Sequence, residues 1–153
     1  MKKVMVLGVG NQLMTDEGLG PYVITELQKD QWPENVDLIE GGTAGLEILY
    51  LIEGVDFLII VDAVDARTDA GSIFKFKPND ISVFPDEFGF SFHQVGLFEV
   101  LQMAMVMDKL PDTIIFGMQP KSLDWGMELS PEVQAKIPEL IELVKEEIKS
   151  NMK

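Results

Sequence analysis

The chain has 153 residues, no cysteine and one histidine, and its 12 basic and 26 acidic side chains give a formal net charge of −14. That length fits one domain, and the lack of cysteine excludes disulfides, thiolate nucleophiles and cysteine-based metal sites. The negative charge repels phosphate backbones and anionic lipid, and no apolar run is long enough to span a bilayer, so we expect a cytoplasmic protein without nucleic-acid or membrane partners.

Apolar runs typical of buried strands alternate with helical patterns along the chain. The elements predicted, in chain order, are a strand at 4–7, a helix at 20–27, a strand at 36–40, a helix at 46–52, a strand at 57–61, an edge strand at 73–77, a loop at 78–94, a helix at 97–105, a strand at 113–116 and a helix at 131–148. Pro138 should kink or split the last helix. This alternation predicts the α/β class, a single-domain three-layer sandwich over residues 1–153: a twisted, mostly parallel sheet of about five strands with helices on both faces.

The turn after the first strand carries Gly8 and Gly10, as a dinucleotide-binding turn would. The third glycine of that fingerprint is replaced by Leu13, and the carboxylates of Asp16 and Glu17 would oppose a pyrophosphate at the start of the next helix. We therefore favour a tight turn over a nucleotide site. One of the two acids is expected to cap the helix, and the other to point into a crevice as a metal ligand or an acid–base group.

Asp62 follows the most apolar strand, and Asp65 fits an ordinary turn aspartate. Ligands of open α/β sheets bind outside the carboxyl ends of the strands, so a 2-1-3 strand order would place Glu17 and Asp62 at one crevice. The alternative for Asp62 is capping of the following turn. His93 precedes a helix, so its loop should return to the same edge, although a lone histidine is more often structural. Two carboxylates and one imidazole suit a borderline divalent cation.

These motifs together resemble those of hydrogenase maturation proteases, the endopeptidases that trim the large subunit of nickel-iron hydrogenases. The blocks that carry the resemblance are Leu7-Gly8-Val9-Gly10-Asn11, Asp16-Glu17-Gly18-x-Gly20, Gly41-Gly42-Thr43-Ala44-Gly45, Val61-Asp62-Ala63, His93 and Gln119-Pro120. They span nearly the whole chain in the expected order. The resemblance implies one cut near the C-terminus of the large-subunit precursor, which is the partner, after nickel has been inserted.

The resemblance also implies roles for individual residues. The family's metal-binding glutamate, aspartate and histidine match Glu17, Asp62 and His93, which would read the nickel presented by the precursor. Other divalent cations would also fit these ligands. Many relatives carry aspartate where this chain has Glu40, ahead of Gly41-Gly42-Thr43, at a position that the resemblance associates with substrate recognition.

Two mechanisms of peptide hydrolysis stay open at this stage. The nickel could place the scissile peptide or polarise its carbonyl. Alternatively, a carboxylate such as Asp62 or Asp16 could activate water as a general base, as in aspartic-type peptidases. We favour nickel as the anchor, with a carboxylate assisting the attack of water. The competing function is a non-catalytic, acidic metal-binding or metallochaperone-like module, and a nucleotide-dependent enzyme is the third.

Overall fold

The structure is a computed structural model that describes residues 2–42, 45–83, 91–92 and 97–153. Its strands are β1 (Val4–Val9), β2 (Val36–Gly42), β3 (Phe57–Asp65), β4 (Ile73–Phe76), β5 (Ser91–Phe92) and β6 (Asp112–Met118). Its helices are α1 (Leu19–Leu27), α2 (Glu47–Leu51), α3 (Pro78–Val83), α4 (Leu97–Val106) and α5 (Pro131–Asn151), and a 3-10 turn covers Thr15–Gly18. Strands and helices therefore alternate as the sequence predicts.

The main sheet has the strand order β2-β1-β3-β6-β4. Strands β2, β1, β3 and β6 run parallel, and β4 pairs antiparallel with β6 at one edge. The short strand β5 pairs antiparallel with the end of β3, off this path. The predicted α/β class, the mostly parallel sheet and the edge strand are confirmed, and the 2-1-3 order holds at the centre of the sheet.

Apolar side chains fill both faces of the sheet, so the sheet lies between two helical layers. On one face, Ile59 of β3 belongs to a buried cluster with side chains of α1 and α5. On the other face, Ile60 of β3 belongs to a second cluster with side chains of α2 and α4. Burial on both faces explains why the central strands are continuous apolar runs.

Helix α5 does not split at Pro138, so that part of the prediction is wrong. Pro138 lies on the exposed side of the helix, where water can reach the carbonyl of Gln134 that loses its donor. Ile137 and Leu140 are buried on either side of the proline and hold both halves against the sheet. With five of its residues buried, α5 is amphipathic, and no helix among the described residues is both long and apolar enough to cross a membrane.

Part of the segment predicted as a loop, 78–94, is helix α3, and Ser91–Phe92 of the same segment form strand β5. Pro78 occupies the first helical position, where its missing N–H costs nothing. The carboxylate of Asp80 accepts a hydrogen bond from the backbone N–H of Lys77 at 2.9 Å, which is half of a capping box. These two signals mark a helix start in the sequence. Residues 84–90 and 93–94 of the predicted loop lie outside the described residues.

Candidate active site

Three glycines allow α1 to begin in contact with the sheet. A Cβ atom at Gly20 would collide with the carbonyl oxygens of Val9 and Val61, and one at Gly8 would collide with the backbone of Gly20. A Cβ at Gly10 would collide with the carbonyl of Glu17. The turn that carries Glu17 is therefore pressed against the carboxyl ends of β1 and β3. This close approach accounts for the glycines and favours the tight-turn interpretation over a nucleotide site.

Asp16 is fully buried in that turn, and both of its carboxylate oxygens accept hydrogen bonds from one distant loop. Its Oδ2 accepts from the backbone N–H groups of Lys121 and Ser122 at 2.7 and 2.9 Å. The backbone N–H of Ser130 donates to Oδ1 at 2.7 Å, and the hydroxyl of Ser130 donates to Oδ2 at 2.8 Å. A buried carboxylate with four hydrogen bonds is well satisfied. This arrangement favours a structural part for Asp16 over the predicted role of general base.

Asp16 does not cap α1, as one of the two acids was expected to do, because no side chain caps that helix. Asp16 instead holds Ser130, the residue directly before α5. Ser130 directly precedes Pro131, where a serine commonly caps a helix, but its hydroxyl donates to Asp16 and makes no cap hydrogen bond to α5. The carboxylate therefore anchors the start of α5 to the turn before α1.

Asp62 lies inside β3 rather than at its end, because β3 continues to Asp65 where β5 pairs with it. The ladder between β1 and β3 ends at Val61, so Asp62 is the first residue of β3 beyond β1. By alternation along the strand, its side chain shares the sheet face of Ile60, which packs with α2 and α4. Asp62 thus sits at the switch point where ligands of open α/β sheets bind.

The carboxylate of Asp62 is fully buried but poorly satisfied. Its Oδ1 accepts a hydrogen bond from the backbone N–H of Ala63 at 2.8 Å. Its Oδ2 has no hydrogen-bond partner among the described residues. Burial raises the pKa of Asp62 well above its ordinary value, the hydrogen bond from Ala63 opposes that rise, and the nearby charge of Glu17 adds to it. Glu17 and Asp62 therefore lie close enough to repel, as the strand order predicts, and Glu17 is half-buried.

His93, the third predicted ligand, lies outside the described residues. Its neighbour Phe92 is described and pairs with Val64, two residues beyond Asp62. Among the residues that the structure describes, no group of three or more histidine, aspartate or glutamate side chains is placed to hold a metal ion. Of the three predicted metal ligands, the structure describes Glu17 and Asp62.

The predicted recognition residues Glu40, Gly41 and Gly42 form the last part of β2, at the same edge of the sheet. Glu40 is exposed, and its Oε1 accepts a hydrogen bond from the hydroxyl of Thr25 in α1 at 3.3 Å. Gly41 is buried against Leu7, and Gly42 has a φ of 56°, in the left-handed region that favours glycine. Thr43 lies outside the described residues. Gly41 and Gly42 belong to β2 rather than ending it, so the strand extends further than predicted.

Gln119 of the Gln119-Pro120 motif connects the ends of two strands. Its Oε1 accepts from the backbone N–H of Ala66 at 2.7 Å, and its Nε2 donates to Asp65 at 3.1 Å. The side chain is buried, so it links the end of β6 to the chain that leaves β3. The Gln-Pro pair after a strand was a signal for this link in the sequence. The link itself could not be predicted, because Ala66 and Asp65, which Gln119 contacts, lie more than 50 positions away.

Comparison with known proteins identifies relatives of one kind. A family model described as hydrogenase maturation protease matches residues 21–147. The chain is 34% identical to the hydrogenase expression/formation protein HupD of Bradyrhizobium diazoefficiens, over 92% of this chain and 75% of that protein. It is also 34% identical to the hydrogenase 2 maturation protease of Escherichia coli, over 93% of this chain and 88% of that protein.

Solved structures of the same kind share the fold. The hydrogenase maturating endopeptidase HybD from E. coli is similar with a TM-score of 0.87 and 31% identity, over 99% of this chain and 94% of that one. A hydrogenase 2 maturation peptidase from a Thaumarchaeota archaeon is similar with a TM-score of 0.74 and 34% identity, over 97% of this chain and 99% of that one. Each likeness covers nearly the whole of both chains.

Proposed function

The chain belongs to the hydrogenase maturation protease family, and from that premise we propose that it removes a C-terminal peptide from the precursor of a nickel-iron hydrogenase large subunit after nickel insertion. Hydrogenase maturation endopeptidase is the activity that the family supports. The proposal adds the substrate, the dependence on nickel and the residues that read it. It replaces the alternatives of a metallochaperone-like binder and a nucleotide-dependent enzyme.

The observation that supports this proposal is the unsatisfied carboxylate of Asp62. A buried carboxylate with an unpaired oxygen costs free energy unless something positive or protic meets it. The second carboxylate, Glu17, increases that cost by repulsion. A divalent cation would relieve both, and His93 would add the imidazole that suits a borderline ion such as nickel. The donor set therefore fits a nickel ion that arrives with the precursor as part of the substrate.

If cleavage requires contact between the site residues and the nickel, only a precursor that already carries nickel is cut. A site that held its own metal tightly would give no such test, whereas two crowded carboxylates and a histidine can contact the precursor's nickel transiently. Contact with Glu17, Asp62 and His93 would then anchor the C-terminal tail beside the sheet edge. Holding the scissile peptide in place is itself a large part of the rate acceleration expected of such a site.

We assign the activation of water to Asp62 rather than Asp16. The Oδ2 atom of Asp62 is without a hydrogen-bond partner among the described residues, whereas both oxygens of Asp16 are engaged by the loop at 121–130. In the proposed step, the lone pair of Oδ2 that does not face the nickel takes a proton from water as the water oxygen attacks the scissile carbonyl. The same proton then passes to the departing amine, which leaves as the new N-terminus of the released peptide.

The test is incubation of the protein with nickel-loaded and nickel-free precursor, followed by mass analysis of both products. We expect loss of one C-terminal peptide from the loaded precursor only. Glu17→Gln and His93→Leu should abolish processing without unfolding the protein, while Glu53→Gln, an exposed glutamate after α2, serves as the matched control.

Each other outcome has a distinct meaning. Equal cutting with and without nickel would rule out the nickel test, and full processing by folded Glu17→Gln would remove that residue from the site. A precursor that binds but stays at full length would show a binding module instead of a protease.

A further inference from the structure

The loop at 121–130 is fixed to the turn that carries Glu17. Besides the four hydrogen bonds to Asp16, the backbone of Gly126 forms a parallel bridge with Met14. The N–H of Gly126 donates to the carbonyl of Leu13 at 2.9 Å, and the N–H of Thr15 donates to the carbonyl of Gly126 at 2.8 Å. A loop held this way keeps one backbone conformation, which lowers the entropy lost when it binds a partner.

This rigid loop presents large apolar side chains to solvent. Trp125 and Met127 are 79% and 81% exposed, and Leu13 opposite them is 49% exposed. Trp125 and Met127 flank Gly126, the residue that is bridged to Met14. We call Leu13, Trp125 and Met127 the apolar ledge. Exposed tryptophan and methionine on a preformed backbone are typical of binding surfaces rather than of ordinary loop tips.

A groove of about 350 Å³ runs from the ledge toward the recognition residues. Met127 lines it on the loop side, and Tyr22 and Thr25 line it on the side of α1. The hydroxyl of Thr25 is the group that donates to Glu40, the predicted recognition residue. The groove therefore connects Met127 of the ledge with Thr25, the partner of Glu40. Gly18, which follows Glu17 in the chain, also lines it.

The charges around the ledge are acidic. Glu128 lines the groove, and Asp124 precedes Trp125 in the loop. Neither carboxylate takes part in an ion pair among the described residues, and Lys121 in the same loop has its Nζ 4.0 Å from a carboxylate oxygen of Glu132. A partner that covers the apolar side chains would place its own charges beside these two acids. Basic side chains complement them, and acidic ones would be repelled.

We propose that the apolar ledge docks a segment of the precursor that combines apolar and basic side chains, and so holds the precursor while its tail enters the site. The assignment rests on the proposed function, because the precursor is the partner whose tail must reach the neighbouring Glu17. Docking at the ledge contributes to binding of the precursor and not to the hydrolytic step. Trp125 and Met127 are therefore specificity residues, and their loss affects half-saturation by the precursor rather than turnover.

The first experiment measures KM and kcat with nickel-loaded precursor for Trp125→Ala combined with Met127→Ala. We expect KM to rise about tenfold or more, as for removal of central apolar side chains from an interface, with kcat within about twofold. Tyr50→Ala is the matched control, because Tyr50 is an aromatic residue of equal exposure, 77%, on α2. A folded double variant with an unchanged KM would overturn the proposal, as would a rise in KM for Tyr50→Ala alone.

A second measurement separates this proposal from the proposed function. The dissociation constant of the nickel-free precursor reports docking without cleavage, and it should rise by a similar factor in the double variant. If the wild-type protein fails to cut loaded precursor, the proposed function fails, and the dissociation constants still decide the role of the ledge. Self-association that is lost in the double variant, with precursor binding unchanged, would assign the ledge to a second copy and overturn the proposal.

The acidic residues test the chemistry of the partner. Asp124→Asn combined with Glu128→Gln should slow association with the precursor and weaken its dependence on salt, because attraction between exposed charges is screened. Association whose rate and salt dependence match those of the wild type would overturn the assignment of basic side chains to the docked segment.

Discussion

Asp16 and Asp62 are both fully buried at the same edge of the sheet, yet their surroundings differ completely. Asp16 receives four hydrogen bonds from a loop that closes over it. Asp62 receives one, from the N–H of the next residue, and its other oxygen has no partner among the described residues. Burial alone therefore does not distinguish the two carboxylates, whereas the number of hydrogen bonds from described residues does.

The two carboxylates therefore differ in their effect on the stability of the fold. A carboxylate with four donors stabilises the fold, above all because the two donors of Ser130 would otherwise be buried without a partner. A carboxylate with an unpaired oxygen beside a second negative charge destabilises the fold, and such a cost is typical of sites kept for function. Substitution at the two positions should therefore have opposite effects on activity and on stability.

The largest expected effect is on activity at Asp62. Asp62→Asn keeps the size of the side chain but removes its charge and its ability to accept a proton, so processing of loaded precursor should fall by about 100-fold or more. Asp65→Asn is the control, because the oxygen that accepts from Arg67 and Gln119 is retained. Mass analysis of the precursor at fixed times measures both. Processing by Asp62→Asn at the rate of Asp65→Asn would place the chemistry elsewhere.

The next effect is on stability at Asp16. Asp16→Ala strands the buried donors of Ser130 and leaves those of Lys121 and Ser122 without acceptors, so the free energy of unfolding should fall by about 3–5 kcal/mol. Urea denaturation followed by circular dichroism gives this value, and exposed Asp69→Ala should stay within about 0.5 kcal/mol of the wild type. A loss of activity at unchanged stability would make Asp16 a catalytic residue instead.

The smallest effect is the pH dependence of stability at Asp62. Because its pKa is raised in the folded protein, the folded state binds this proton more tightly than the unfolded chain does. The resulting stabilisation is complete below the ordinary aspartate pKa and is lost as pH rises through the raised pKa. The Asp62→Asn variant has no carboxyl group to titrate at this position, so it does not lose this stabilisation. The free energy of unfolding of the variant minus that of the wild type should therefore increase as pH rises. Urea denaturation between acidic and mildly alkaline pH measures the difference, which should not fall at any step.

Much of the fold follows from local patterns in the sequence. The central strands are apolar on both faces, and Lys75 alternating with Phe74 and Phe76 marks the exposed edge strand β4, so both were predictable. The predicted split at Pro138 was wrong, because the effect of a proline depends on which side of the helix meets water. Helix α3 was missed although Pro78 and Asp80 signalled its start. The absence of nucleic-acid partners and the cytoplasmic location stay predictions.

The site was only partly predictable. The strand order brings Glu17 and Asp62 together, as expected from the switch point of an open sheet. Which acid of the Asp16–Glu17 pair is structural could not be predicted, because the donors to Asp16 lie 105 to 114 residues away. The exposed ledge at Trp125 was likewise invisible, since exposure depends on packing rather than on local pattern. The role of His93 stays a prediction.

The long separation between Asp16 and its donors has a consequence for how the protein is made. A ribosome delivers the turn with Glu17 early and Ser130 late, so a nascent chain carries an unanchored carboxylate next to Glu17 for most of its synthesis. The turn acquires its fixed geometry only when the last segment has emerged and α5 has docked on the sheet. A chain cut short before residue 130 would lack both Ser130 donors, so the turn beside Glu17 would lose part of its anchoring.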